Sequence, residues 1–232
     1  MKRFSPLVLS AVLIIAAFVV ATPLTAKAQS AGLVSSVLSR LEKNRANLKS
    51  LRAGINMEKY NSQLGTKDTS TGVVMYLPGS GRNASVRLEW KSPQHEILAV
   101  QNGKYVLLRP RLGIAYTGSQ SKAPGGANGI MDMMYMSRAQ LETKFQPLKD
   151  VREETLWGGV STIHLTLVPK GNASYKYAEI WIDNSGMPVQ SKIVEKNDDA
   201  TTMRLVSIEK NPKISPDEIP VKLDGGVKII KS

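Results

Sequence analysis

From Tyr177 to Lys210 the chain reads as three runs of alternating side chains, Tyr177–Asp183, Pro188–Lys196 and Thr201–Lys210. The turn clusters Asn184-Ser185-Gly186 and Asn197-Asp198-Asp199 separate them. Ala178, Ile180 and Ile182 share one face, and Val189, Ser191 and Ile193 share one face of the next run. Period-two alternation with short polar turns predicts an antiparallel meander with one buried and one wet face. The same pattern recurs upstream. Leu51, Ala53, Ile55 and Met57 alternate with polar or small residues, and Ala84, Val86, Leu88 and Trp90 alternate with Ser85, Arg87 and Glu89. Gly72–Leu77, Ile97–Gln101, Lys104–Arg109 and Arg111–Thr117 read as further strands, as does the run in which Ile163, Leu165 and Leu167 oppose Thr162, His164 and Thr166. Asn102-Gly103 is the dipeptide that a type I′ hairpin turn demands. A last run, Val227–Ile230, closes the chain. Gln63–Thr71 and Gly118–Gly129 read as loops, and Glu153-Glu154 as a solvated turn.

Two stretches change period. Leu33, Val34, Val37, Leu38, Leu41 and Leu48 recur at three- and four-residue spacing, which predicts an amphipathic helix over Leu33–Lys49 that needs a surface to lie on. In the middle, Ile130, Met131, Met133, Met134, Tyr135 and Met136 form the densest methionine cluster of the chain. Ser137 and Gln140 then fit a capping box opening a short helix that carries Leu141 and Phe145. Roughly ten strands with segregated helices indicate an α+β fold rather than a βαβ one. So many strands in one sheet must curl, and the helices are the candidates to cover its apolar concave face. The expected architecture is a curved antiparallel sheet with a helical lid.

The first residues stand apart. Lys2 and Arg3 precede the apolar run Leu7–Val20, and Ala26-Lys27-Ala28 is a small-x-small site, the pattern of a secretory signal peptide cleaved after Ala28. An uncleaved anchor is the competing reading, for which the apolar run is short. The expected organisation is a signal peptide over 1–28 and one domain over 29–232. Removing Lys2, Arg3 and Lys27 from the 31 basic residues leaves 28 against 19 acidic ones, a net charge of +9. A basic surface can meet nucleic acid, anionic lipid or acidic protein, or can simply be well solvated. No groove-reading motif accompanies it, so nucleic acid is not the expected partner.

Catalytic chemistry finds little foothold. The chain has no Cys, which excludes disulfides and thiolate nucleophiles. No G-x-S-x-G elbow, H-E-x-x-H helix or Walker-type loop is present. His95 and His164 lack metal-like spacing and are expected on strands in structural roles. No catalytic residue, cofactor or metal site is assigned, and the chain is not expected to be an enzyme. The methionine cluster is the compositional anomaly, because flexible, polarisable Met adapts to ligands of variable shape as readily as it fills a core.

In order and spacing the chain resembles the LolA-type periplasmic lipoprotein carriers and related lipoprotein-sorting proteins, over essentially all of residues 29–232. The resemblance rests on Ile180-Trp181-Ile182-Asp183 with Gly186-Met187-Pro188, the run Thr201–Ile208 with Asn211, and Gly226-Val227-Lys228-Ile229-Ile230. Trp90 with Lys91-Ser92-Pro93, Asn102-Gly103-Lys104 before Pro110, and Leu167 with Pro169-Lys170 add to it. It departs at the end of the second strand, where such carriers place an Arg before the proline and this chain has Leu77 before Pro78. The resemblance implies an incomplete β-barrel whose concave apolar face is covered by helices. It implies a periplasmic protein, expected as a monomer, that takes acyl chains of a lipoprotein or a lipid from an inner-membrane releasing complex and delivers them to an outer-membrane acceptor. Period-two counting places Val86, Leu88, Trp90, Leu165 and Ile180 on the expected cavity wall, with Met131, Met134 and Phe145 on the lid. The alternative reading is a lipid- or protein-sensing regulatory module of the cell envelope.

Overall fold

The computed structural model describes residues 24–79, 83–124, 132, 134 and 137–231. Twelve strands form one sheet: β1 Leu51–Asn61, β2 Thr66–Leu77, β3 Ser85–Ser92, β4 Glu96–Gln101, β5 Lys104–Arg109, β6 Ile114–Ser119, β7 Lys149–Leu156, β8 Val160–Leu167, β9 Tyr175–Asp183, β10 Pro188–Glu195, β11 Ala200–Lys210 and β12 Lys228–Lys231. Their spatial order is β12-β6-β5-β4-β3-β2-β1-β11-β10-β9-β8-β7. The curved sheet has two free edges, β7 and β12, and does not close into a barrel. Every neighbouring pair is antiparallel except β12 with β6. The architecture is α+β, the curved antiparallel sheet that the alternation predicts and the incomplete barrel that the resemblance implies.

Register shows why the apolar alternation matters. Leu51 pairs with Tyr76 and Ala53 with Val74, and these pair in turn with Val86 and Leu88. Directly paired residues share a face, so the inner side chains of β3, β2, β1, β11, β10, β9 and β8 make one largely apolar floor, most of it in a single buried cluster. Gly72 faces Trp90 where β2 shifts register, and a Cβ at this glycine would collide with the backbone of Glu89. No larger residue could follow that close approach.

Among the described residues, two α-helices of seven residues or more lie on the inner side. Helix α1, Leu24–Asn47, buries Val37, Leu38 and Leu41 in the core. It starts nine residues before the expected Leu33, so the expected cleavage point at Ala28 falls within it; the apolar run Leu7–Val20 lies outside the described residues. Its other end is pinned by the β9–β10 turn. Asp183 Oδ1 accepts from the Ser185 and Met187 amides at 2.8 and 2.9 Å, Met187 is buried, and Gly186, at φ +83, presses on the Arg40 carbonyl where a Cβ would collide. Helix α2, Arg138–Lys144, opens on the predicted capping box of Ser137 and Gln140. Phe145 is its C-cap rather than a helical residue.

Three further sequence expectations are corrected. The region expected as a loop from Gln63 to Thr71 is mostly strand, because β2 begins at Thr66 and pairs with β1 as far as Asn61. Its first residues are exposed and polar, so no apolar alternation marks them. Glu153-Glu154 is not a turn but the middle of β7, an edge strand whose charged residues suit a solvent-facing edge. His95 lies in the β3–β4 turn rather than on a strand, 3.1 Å from Glu89. The Asn102-Gly103 turn is as predicted, with φ of +53 and +73.

The outer face is covered as well. After β11 the chain runs back across it: Arg52 donates to Glu218 at 3.1 Å, Arg87 donates to the Pro220 carbonyl at 3.0 Å, and Ile219 is wholly buried. This strap delivers the chain to β12 and makes its parallel pairing with β6 possible. At the other end of the sheet β8 is buried on both faces, with Thr162 and His164 enclosed as fully as Ile163 and Leu165. The His164 ring lies 4.7 Å from that of Trp181, its Nδ1 is 3.5 Å from Asp150 and its Nε2 is 3.3 Å from Glu179. These separations bring charge close to the ring without hydrogen-bond geometry at either nitrogen.

Candidate ligand-binding cavity

The inner floor leaves room near α2. β9 and β10 contribute Ala178, Ile180, Ser191 and Ile193, and β8 contributes Leu167. The small side chains of Ala178 and Ser191 stand where larger ones would fill the space. Phe145, Gln140 and Lys144 cover the hollow from the α2 side, and Tyr175, Glu179 and Asp132 stand at its margin. The enclosed space is about 160 Å³ and its walls are mostly apolar. That size matches engineered apolar cavities of about 150 Å³, which hold benzene-sized ligands. A whole acyl chain would need the covering segment to move. Burial, and then the charge of Asp132, push the Tyr175 phenol up, so its hydroxyl stays neutral and able to donate.

Phe145 also borders a second hollow on the opposite side of α2, lined by Val34, Leu38, Leu141, Pro147 and Leu148. A third adjoins it through Val34, Leu38, Pro147 and Leu148 and adds Val151. Their volumes are about 320 and 470 Å³. The α2 segment is therefore a partition between hollows. It is tied to α1 by Glu42, whose Oε1 accepts from the Arg138 amide at 2.6 Å while Oε2 accepts from Arg45 at 2.8 Å. Partial burial pushes the Glu42 carboxyl up, but the Arg138 amide and the Arg45 guanidinium outweigh it and hold the group below its ordinary value. On its other flank, Lys170 donates from Nζ to the Glu142 carbonyl at 2.7 Å and from its amide to the Lys144 carbonyl at 2.8 Å.

Of the residues expected to line a cavity, Phe145 and Ile180 do so. Leu165 is buried beside Ile180, its register partner. Val86, Leu88 and Trp90 belong to the same apolar cluster but lie on β3, with β2, β1, β11 and β10 between them and β9. Met134 is buried within that cluster, and Met131 lies outside the described residues. Sequence reasoning missed the other lining residues, among them Leu167, Ala178, Ser191, Ile193, Tyr175, Gln140 and Lys144. The available signal was the small or polar residue on an otherwise apolar face, Ser191 among Val189 and Ile193. Among the described residues no group of three or more His, Cys, Asp or Glu is arranged to hold a metal ion, and no helix is long and apolar enough to cross a membrane.

No protein-family model matches the chain, and no curated protein matches it. In fold it is similar to an uncharacterized conserved protein from Thermus thermophilus, with a TM-score of 0.55 and 11% identity over 86% of this chain and 99% of that one. It is similar to MucB with a TM-score of 0.50 and 14% identity, over 84% of this chain and 63% of MucB, so it spans less than two thirds of that protein. A LolA superfamily protein from Nitrosomonas europaea superposes more loosely, with a TM-score of 0.42 and 13% identity over 81% of this chain and 97% of the other. At these identities the first two likenesses show a shared fold.

Proposed function

We propose that the chain is an exported carrier that shields acyl chains of a lipoprotein or lipid against the inner face of its half-barrel and moves them between membranes of the cell envelope. The observation that carries this reading is the apolar cavity at the seam between α2 and the strands β8–β10, beside further hollows that share Phe145 as a wall. Each CH₂ removed from water contributes about 0.8 kcal/mol, so an acyl chain needs such cover to cross an aqueous space. A movable partition supplies cover and release without covalent chemistry. In this reading α2 and its C-cap Phe145 swing off the strands together to join the hollows, and Val86, Leu88, Trp90, Met134 and Leu165 form the wider apolar surroundings of the cargo. Export with removal of residues 1–28 places the carrier where its cargo is. The likeness to MucB, solved in complex with MucA, keeps a regulatory binding module as the second reading.

Purification from the producing cell without detergent, followed by mass spectrometry of what co-purifies, tests the proposal. A bound lipid or acylated protein is the expected result. An empty protein that also fails to bind a fluorescent fatty acid overturns the carrier reading and favours the regulatory module. Ser191→Phe, which fills the cavity floor, is expected to cut fatty-acid binding at least tenfold.

A further inference from the structure

The most exposed large apolar side chain among the described residues lies away from the cavity. Trp157, at the tip of the β7–β8 turn, is 85% accessible, whereas Trp90 and Trp181 are 5% and 6% accessible. Its place is built rather than loose. Gly158 and Gly159 adopt φ of +85 and +78, where any side chain would be strained. The Gly159 amide donates to the Leu156 carbonyl at 3.0 Å. Arg204, from β11, donates to the Trp157 carbonyl and sits 5.9 Å from the ring centre. The tip is thereby braced from three strands away and its indole is held outward, next to the partly exposed Val160.

The same end of the sheet collects cations. Thr162 pairs with Asp183, so the β7–β8 tip and the β9–β10 turn stand side by side. Arg40 of α1 reaches the Asn184 carbonyl at 3.4 Å, and Lys210 reaches Asn44 at 3.2 Å as well as the Ser185 hydroxyl. With Arg204 these make three cations whose partners at this end are neutral oxygens, and among the described residues none of the three forms an ion pair with a carboxylate. Lys43 is exposed nearby, on the same helix as Arg40. Indole rings favour the boundary between water and lipid. Uncompensated Lys and Arg are drawn to anionic headgroups, and the net positive charge, +12 with residues 1–28 and +9 without them, steers the whole molecule the same way.

We propose that the β7–β8 tip is a membrane-docking element, in which Trp157 enters the headgroup layer of an anionic lipid surface while Arg204, Arg40 and Lys210 face its phosphates. The inference goes beyond the carrier reading and stands without it, since it uses no residue of the cavity. Because the other two tryptophans are buried, a change in tryptophan emission on adding lipid reports Trp157. The protein as recovered from the producing cell is mixed with vesicles of phosphatidylcholine, alone or with phosphatidylglycerol. The expected result is a blue-shifted emission and co-sedimentation with the anionic vesicles, weakened by salt. Trp157→Ser is expected to weaken binding at least tenfold, and the pair Arg204→Gln with Lys210→Gln to remove the preference for anionic lipid. Emission that lipid leaves unchanged, equal binding to neutral vesicles, or undiminished binding of Trp157→Ser would overturn the proposal. A tip that serves an acidic protein instead gives the first of those results.

Discussion

The inner face differs between its two halves, although the alternation that builds it is the same. On β3, Val86 and Leu88 are completely enclosed, with Val74 and Val100 as register partners and equally enclosed. On β9 and β10 the corresponding positions are Ala178, Ile180, Ser191 and Ile193, and here the floor is hollow under α2. No residue of β1–β6 lines that hollow. An apolar face becomes structure where large side chains meet, and a candidate binding surface where small ones leave a space that a separate segment must roof. Side-chain volume, rather than hydrophobicity, separates the two.

The largest expected effect probes the packed half. Leu88→Ala should cost about 2–5 kcal/mol in urea unfolding, the range for truncating an enclosed leucine. Ser191→Phe on the hollow half has a cavity to enter, so it should cost less than the roughly 1–3 kcal/mol of overpacking a filled core while displacing an apolar probe. Equal losses from the two variants would erase the distinction between the halves. Next in size is Gly186→Ala, expected to lower stability by about 1–3 kcal/mol, because the turn must both adopt φ +83 and touch the Arg40 carbonyl. Melting temperature reads that loss, and amide exchange should show the Arg40–Asn47 end of α1 opening first.

A smaller effect is expected at His164. Its ring nitrogens make no hydrogen bond, so His164→Leu removes none and should change stability by less than about 1.5 kcal/mol. A much larger loss in a thermal melt would show that the neighbouring carboxylates hold the ring. The smallest effect concerns the roof. The Glu42 carboxyl is held below its ordinary value, so the link between α1 and α2 is complete above about pH 4.3 and is lost as pH falls through the lowered folded value. Amide exchange in α2 should accelerate across that acidic window in the native protein. Glu42→Gln should be faster at neutral pH and flat across the window.

Much of the fold was legible because most strands bury one face. The alternation of Ala84, Val86, Leu88 and Trp90, the Asn102-Gly103 turn and the Ser137–Gln140 capping box each pointed to what is observed. The misses share a cause. The start of β2 and the middle of β7 bury little, so burial leaves no pattern in Thr66–Ser70 or in Glu153-Glu154. The double burial of β8 was hidden because the outer residues are Thr162 and His164, types that read as solvent-facing. The strap was hidden for a similar reason, since Ile219 is a lone anchor in a proline-punctuated stretch. Of the cavity, the apolar members Phe145 and Ile180 were legible. Its partition was not, because which hollow a helix divides depends on tertiary placement.

The pairing of β1 with β11 has a kinetic consequence. The two strands meet at the middle of the sheet, yet the Lys49 amide and the Asn211 side chain that close the joint, 2.7 Å apart, are separated by 162 positions. Bringing such distant ends together costs roughly 4–5 kcal/mol of chain entropy before any contact repays it. Folding of the central seam must therefore wait for nearly the whole chain and should be slow, in the manner of high-contact-order proteins. Until then β1 has a bare edge, and a chain emerging N-terminus first would remain open and threadable until its last quarter arrived.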